Sequence, residues 1–355
     1  MDTHERMVKL RALTGAKASA VLLTKPENMR YYSGYTGEGW LVVLPKQAVI
    51  LTDFRYVEQA ETQAPDCAVR MVSRGAKMTE ALLECLQGID RLAAEDDHLT
   101  RRAWTALEER LQGVALIGAE NLPEKVRAVK TDAEIELMAQ AEAIADQAFT
   151  HILGFIRPGI TELDVAWELE RVMRLLGSEG PAFDTIVAGG PNGSLPHAIP
   201  GKRALQTGDM ITMDFGAKVG GMCGDFTRTV ALGTPCEELR KVYAIVLEAQ
   251  LRALDILTPG ITGKDVDAVA RACIEGAGYG ERFGHGLGHG VGLMVHEAPG
   301  LHTQANEALV PGNVVTVEPG IYLPGIGGVR IEDLVAVTEN GHRNLTSSAK
   351  ELVIL

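Results

Sequence analysis

Short apolar runs alternate with amphipathic stretches through roughly the first 120 residues of the chain. The apolar runs, bounded by turn-forming residues, predict strands at Ala20–Thr24, Leu41–Leu44, Ala48–Thr52, Val69–Ser73 and Arg91–Glu95. Helical spacing of apolar positions predicts helices near Glu5–Leu13, Arg55–Thr62, Met78–Leu86 and Arg102–Leu111. Strands interleaved with helices indicate an α/β domain. The pattern breaks at Asn121-Leu122-Pro123. Thr131-Asp132-Ala133-Glu134 then has capping-box spacing and opens a long helix, which runs to about Ile156 and stops at Arg157-Pro158-Gly159. The domain boundary therefore falls within residues 121–128, giving domains of 1–124 and 125–355.

Beyond that boundary the pattern is written twice. Pro158-Gly159-Ile160-Thr161-x-x-Asp164-Val165 returns as Pro259-Gly260-Ile261-Thr262-x-x-Asp265-Val266. His197-x-x-Pro200-Gly201 returns as His296-x-x-Pro299-Gly300, and Gly208-x-x-x-Thr212-x-Asp214-x-Gly216 as Gly312-x-x-x-Thr316-x-Glu318-x-Gly320. The offsets are 101, 99 and 104 residues. Each copy reads helix, helix, strands. Helices follow Thr161 and Lys264, and another spans about Glu237 to Leu257. Strand-type runs lie at Thr185–Ala188, Asp209–Phe215, Met222–Leu232, Val314–Glu318 and Leu334–Thr338. Glycine-rich links between them predict antiparallel pairing. The result is an α+β architecture, with helices covering one face of a curved antiparallel sheet and a site on the other. Two such halves would face each other across a pseudo-twofold axis.

Composition changes this picture little. An apolar content of 46% with 23% charged residues is ordinary for a globular protein. The net charge of −13 argues against nucleic acid or an anionic membrane as a partner. Five scattered cysteines form no C-x-x-C pair and suit free thiols in a reducing cytoplasm. No apolar run reaches transmembrane length, and the N-terminus lacks the apolar centre of a signal peptide.

The duplicated part carries the candidate chemistry. Asp214 ends one strand-type run, and Asp225 follows in Gly224-Asp225-Phe226-Thr227-Arg228-Thr229. A hairpin turn at Gly216–Gly221 would bring the two acids side by side, where a cation or a proton must offset their repulsion. The alternative is a pair of surface turn aspartates. His285 and His289 lie in a stretch with too many glycines for a helix, so an extended segment is expected. Glu318 matches Asp214 in the second copy, and Glu332 follows in Val329-Arg330-Ile331-Glu332-Asp333. Arg330 reads either as the ion-pair partner of Glu332 or as a support to the site. One imidazole and four carboxylates favour Mn²⁺, Co²⁺ or Zn²⁺. Two such ions about 3.5–4 Å apart could share a bridging hydroxide. Trp40, Trp104 and Trp167 read as packing residues, Asp53 as a turn residue and Cys223 as a non-ligand.

Together, Met213-Asp214-Phe215-Gly216, Gly224-Asp225-Phe226-Thr227-Arg228-Thr229, His285-Gly286-Leu287-Gly288-His289, His296-Glu297, Val317-Glu318-Pro319-Gly320 and Arg330-Ile331-Glu332-Asp333 resemble the pita-bread metallopeptidases. These are the Xaa-Pro aminopeptidases, Xaa-Pro dipeptidases and methionine aminopeptidases. Tyr31-Tyr32-Ser33-Gly34-Tyr35 and Thr52-Asp53-Phe54-Arg55-Tyr56 resemble the creatinase/prolidase N-terminal domain, which points to the proline-specific branch. The resemblance implies Asp214, Asp225, His289, Glu318 and Glu332 as ligands of two divalent ions, with Asp225 and Glu332 bridging. It implies His197 and His296 as histidines beside the ligands; the charge-based mechanism then makes Glu318 the proton carrier, has His197 or His296 stabilise the oxyanion, and puts His285, His197, His296 and Arg330 on the substrate side. It further implies attack by metal-bridging hydroxide on peptides with proline at the second position, and a homodimer. One departure is Met222-Cys223-Gly224, where the family usually has Tyr and Ser. A metal-free creatinase-like amidinohydrolase and a non-catalytic binding module on the same fold remain as alternatives.

Overall fold

The computed structural model describes residues 3–15, 17–73 and 77–355. The chain divides into two units, Met1–Arg127 and Ala128–Leu355. In the first, helices α1 (Thr3–Thr14), α2 (Pro26–Ser33), α3 (Val57–Gln63), α4 (Met78–Cys85), α5 (Arg101–Arg110) and α6 (Leu122–Arg127) surround one sheet. Its strands are β1 (Ala20–Leu23), β2 (Trp40–Val43), β3 (Ala48–Thr52), β4 (Ala68–Met71), β5 (Arg91–Ala94) and β6 (Ala115–Gly118). Their spatial order is β4-β3-β2-β1-β5-β6, with only the β1–β2 and β2–β3 pairs antiparallel. Every residue of β1 and β3 is buried, as strands covered on both faces require. Sequence periodicity missed α2. Its signal is local: Pro26 sits in the first turn, where no intrahelical N–H is needed, and Gly34 closes the helix at φ +83°. Asp53 does form a turn, accepting the Arg55 amide at 2.9 Å.

In the second unit Thr131 and Glu134 form the expected reciprocal cap, and α7 runs Asp132–Leu153. Helix α8 (Glu162–Leu175) follows, then strands β7 (Ile186–Gly189), β8 (Met210–Phe215), β9 (Lys218–Val219), β10 (Met222–Cys223) and β11 (Phe226–Ala231). Helices α9 (Glu237–Ile256) and α10 (Gly263–Gly276) begin the second copy. Its strands are β12 (Gly288–Gly290), β13 (Glu297–Leu301), β14 (Val314–Val317), β15 (Gly320–Leu323), β16 (Gly327–Arg330), β17 (Asp333–Thr338) and β18 (Gly341–Asn344). The sheets β11-β8-β7 and β13-β12-β14-β17-β18 pair antiparallel throughout.

The sequence repeat is a structural repeat. Gly159 and Gly260 take φ +93° and +92° in the turn after each first helix, a backbone conformation that glycine adopts without Cβ strain. Thr161 and Thr262 then cap α8 and α10 by accepting the Asp164 and Asp265 amides. Thr161 bridges to Ala204, and Thr262 bridges to Ala308.

Strand alternation sorts the two faces. Ile211, Met213, Phe215, Phe226 and Val230 pack with Phe149, Val165 and Leu169 of α7 and α8. Val315, Val317, Val335 and Val337 pack with Val246, Val266 and Ala270 of α9 and α10. The intervening residues, Thr212, Asp214, Thr227, Thr229 and Thr316, point the other way. Two expectations change here. The run Met222–Leu232 is not one strand, because the Gly224 amide turns back to Ala217 O and the Asp225 amide to Glu142 Oε1. Trp167 is not a packing residue: it is 60% exposed on α8, whereas Trp40 and Trp104 pack on the core of the first unit.

Candidate metal centre

The β8–β11 register sets Asp214 opposite Thr227, so Asp225, two residues before Thr227, shares its face. Glu332 arrives from the link between β16 and β17, its amide bonded to Thr227 O at 3.1 Å. Carboxylate oxygens of Asp214, Asp225 and Glu332 all lie within 4.8 Å of one another. His289 stands on β12, where glycines permit close strand contact: a Cβ on Gly288 would lie 2.0 Å from Thr316 O. His289 Nε2 is 3.6 Å from Asp225 Oδ2 and 3.2 Å from Glu318 Oε1. The five side chains thus form one continuous cluster, with one acid from matching places in each copy.

The donor set fits divalent cations. Arg330 donates to Asp214 Oδ2 at 2.6 Å, and Thr227 Oγ1 donates to Glu332 Oε2 at 2.6 Å. The other oxygens, Asp214 Oδ1 and Glu332 Oε1, are buried with no partner, two of the few such atoms among the described residues. Buried carboxylate oxygens are rarely left so. His289 Nδ1 lies 3.1 Å from Gly290 O, which can only accept, so Nδ1 carries a proton; once Nε2 gives up its own, that nitrogen would offer its lone pair to a cation. Cys223 Sγ instead donates to Leu293 O, as a non-ligand should.

Arg330 corrects one reading: its acidic partner is Asp214, not Glu332. Arg330 Nε and Glu332 Oε2 both meet Thr227 Oγ1, but the guanidinium pairs with Asp214 Oδ2 and not with Glu332. Arg330 also donates to Tyr322 Oη, and Tyr322 bonds His285 Nε2 at 2.9 Å. His285 Nδ1 bonds Gly286 O, so both its ring nitrogens are engaged and it serves as a wall of the site. Tyr322, Thr227 and Glu142 escaped sequence reasoning. Thr227 had a signal, since it stands two residues after Asp225 on a strand. A cavity of about 750 Å³ is lined by all five clustered residues and by His197, His285, His296 and Arg330, with Phe183, Ile186 and Val295 as apolar walls. The His296 ring centroid lies 4.2 Å from that of His289, and His197 is exposed at the rim.

Burial and the Glu332 and Asp214 carboxylates hold Asp225 well above the ordinary carboxylate range. Burial, Glu318 and Asp214 do the same to Glu332. Burial raises Asp214 despite Arg330. Burial opposes ionisation of Glu318 too, yet the hydrogen bond and charge of His289 pull it down to about 2. Burial lowers His289, but Glu318 outweighs it and raises the imidazole. Behind the cluster, burial pushes Glu142 up to about 8.

These shifts fix a sign. The folded, cation-free chain keeps a proton on Glu142 between the ordinary value of 4.5 and about 8, where the unfolded chain has lost it. That stability is complete below the lower value and is lost as pH rises toward the upper one. Asp225, Glu332 and His289 act in the same direction. Calorimetry of cation-free protein is therefore expected to give a melting midpoint that falls from about pH 5 to about pH 8. A rising midpoint would contradict the buried acid cluster.

The family model for metallopeptidase family M24 matches residues 136–339, and that for the creatinase/prolidase N-terminal domain matches residues 6–129. An uncharacterized peptidase of Bacillus subtilis is 42% identical, covering 99% of this chain and all of its own. A Xaa-Pro dipeptidase of Pyrococcus furiosus is 36% identical over 98% of this chain and 99% of its own. The solved structure of a Xaa-Pro dipeptidase from Bacillus anthracis superposes with TM-score 0.96 at 44% identity, covering all of both chains. That of an X-Pro aminopeptidase from Thermotoga maritima gives 0.90 at 38% identity, covering 98% of this chain and 99% of its own.

Proposed function

The chain belongs to metallopeptidase family M24, and on that premise we propose that it hydrolyses the peptide bond preceding proline, in Xaa-Pro dipeptides or at the N-terminus of longer peptides. The observation that carries the proposal is the meeting of Asp214, Asp225, His289, Glu318 and Glu332 on one cavity. In this reading those five residues would hold two divalent cations per subunit. An oxygen-rich set with one imidazole favours Mn²⁺ or Co²⁺ and admits Zn²⁺. When bound, the cations supply an activated water near neutral pH and polarise the scissile carbonyl.

The chain's own residues do the rest. Glu318 is ionised at neutrality and takes the proton of the attacking water, then returns it to the proline nitrogen. Thr316 Oγ1 donates to Glu318 Oε1 at 3.0 Å and fixes its orientation. His197 and His296 line the cavity as donors for the developing oxyanion. Arg330 holds Asp214 and, through Tyr322, His285, so the substrate-facing wall and the cluster are braced by one guanidinium. We extend the proposal to a homodimer in the reducing cytoplasm, the latter supported by five free cysteines. Among the described residues no helix is long and apolar enough to cross a membrane.

The test is hydrolysis of Ala-Pro and Ala-Pro-Ala by cation-stripped protein after Mn²⁺, Co²⁺ or Zn²⁺ is added back in turn. Stripped protein is expected to be inactive and to recover on at least one of the peptides. Full activity without cations, or no cleavage of either peptide with cations bound, would overturn the proposal. The ratio of the two rates sets the substrate length.

A further inference from the structure

We propose that the C-terminal segment Thr346–Ala349 is a clamp that sets the spacing between Asp225 and Glu332. The inference rests on the reading of these two acids as cation ligands.

The backbone of each acid is held by one buried ionisable side chain. The Asp225 amide donates to Glu142 Oε1 at 2.7 Å, and Glu142 on α7 is fully buried. Its other oxygen accepts the Thr346 hydroxyl at 2.8 Å. That hydroxyl in turn accepts the Leu334 amide at 2.9 Å, two residues beyond Glu332. On the other side, the Glu332 carbonyl accepts Arg228 Nη1. Arg228 is 1% exposed, and all five of its N–H donors are used. The remaining four go to Thr227 O at 3.0 Å, Asp333 Oδ1 at 2.8 Å, Ser348 O at 2.7 Å and Ala349 O at 3.1 Å. Both routes from the acids therefore end in the same four residues.

The segment has no regular structure of its own. Asp146, one turn along α7 from Glu142, pins it by accepting the Ser347 amide, the Ser348 amide and the Ser348 hydroxyl at 2.9, 2.7 and 2.6 Å. Burying a guanidinium and a carboxyl group costs solvation, which apolar packing would avoid. Here the two polar groups fix the relative positions of β11, β17 and α7 behind the cluster. Groups that orient metal ligands typically change affinity by about 10–100-fold when removed.

Thr346→Val removes the hydroxyl at nearly constant volume, and Thr346→Ser keeps it. Ser348→Ala loosens the same segment more gently through Asp146. Tyr243→Phe is the control: it removes a bond to the chain just beyond the four residues, Tyr243 Oη to Lys350 O, and cuts none of the hydrogen bonds of either route. Full-length proteins would be titrated with Mn²⁺, free ion being read by electron paramagnetic resonance, and cation-free melting midpoints recorded alongside. Thr346→Val is expected to weaken at least one Mn²⁺ by about tenfold or more, and Ser348→Ala by less. Thr346→Ser should bind as wild type, and Tyr243→Phe should change the midpoint alone. The clamp is wrong if Thr346→Val and Ser348→Ala bind Mn²⁺ as tightly as wild type, or if Tyr243→Phe weakens binding as much as they do. Asp225→Asn separates the two levels. If it binds Mn²⁺ like wild type, the ligand reading itself fails, and the clamp with it. If it loses an ion while Thr346→Val does not, only the clamp fails.

Discussion

Asp225→Asn is expected to lose hydrolysis of Ala-Pro by on the order of 10³-fold or more, while its cation-free form melts no lower than wild type at about pH 8. The opposite signs come from one cause. Asp225 sits at the centre of the cluster, beside Glu332, Asp214 and His289, and is only 4% exposed. Without cations its charge is opposed by burial and by its neighbours, so removing the charge relieves repulsion. With cations the same charge is needed. A divalent ion contributes several kcal/mol of transition-state stabilisation, and each 1.36 kcal/mol is about tenfold in rate. Steady-state kinetics at saturating Mn²⁺, with calorimetry of the stripped proteins, reads both. A residue that served only the fold would lower both quantities together.

Glu318→Gln is expected to reduce kcat by about 10²–10⁴-fold with little change in KM. On the proposed mechanism, the duplication gives a reason for Glu318, and not its counterpart, to take the proton. Asp214 and Glu318 occupy matching places, but their surroundings have diverged. Asp214 Oδ2 is tied to Arg330 at 2.6 Å, which commits that oxygen to a buried ion pair. Glu318 meets His289 and Thr316 and faces the cavity without an arginine of its own. Its side chain is also one methylene longer. Glutamine keeps the shape and one carbonyl oxygen but cannot accept the proton. The pH dependence of kcat, compared with wild type, checks the assignment: an unchanged profile with unchanged kcat would assign Glu318 to structure alone.

Much of the site was legible because period-two alternation and an internal repeat leave marks that survive in one sequence. Asp214 and Asp225 flank a hairpin of glycines, so local pairing alone brings them together. Glu318 was legible through its match to Asp214. The Gly-rich segment around His289 was read as extended, and the steric contact at Gly288 gives the reason. What failed depended on which partners distant elements bring to a side chain. Arg330 and Glu332 share parity in the sequence, yet the guanidinium reaches Asp214 instead. Trp167 looked like a packing residue by composition, but its position on α8 faces solvent. The supports of the cluster were invisible. Glu142 lies on a helix 83 residues before the amide it holds, and nothing in its own neighbourhood distinguishes it from a surface acid. The segment Thr346–Ala349 has neither helical nor strand period, and its partners are 120 or more residues away for Arg228 and more than 200 for Glu142 and Asp146.

Asp214, Asp225, His289, Glu318 and Glu332 are proposed to hold a cation pair in one cavity. Crystals of the wild-type protein soaked in Mn²⁺ and measured for anomalous scattering at the manganese edge test it most directly. Two peaks are predicted within bonding distance of these five side chains, with Asp225 and Glu332 touching both. A single peak outside the cluster, or none at saturating Mn²⁺, would contradict it.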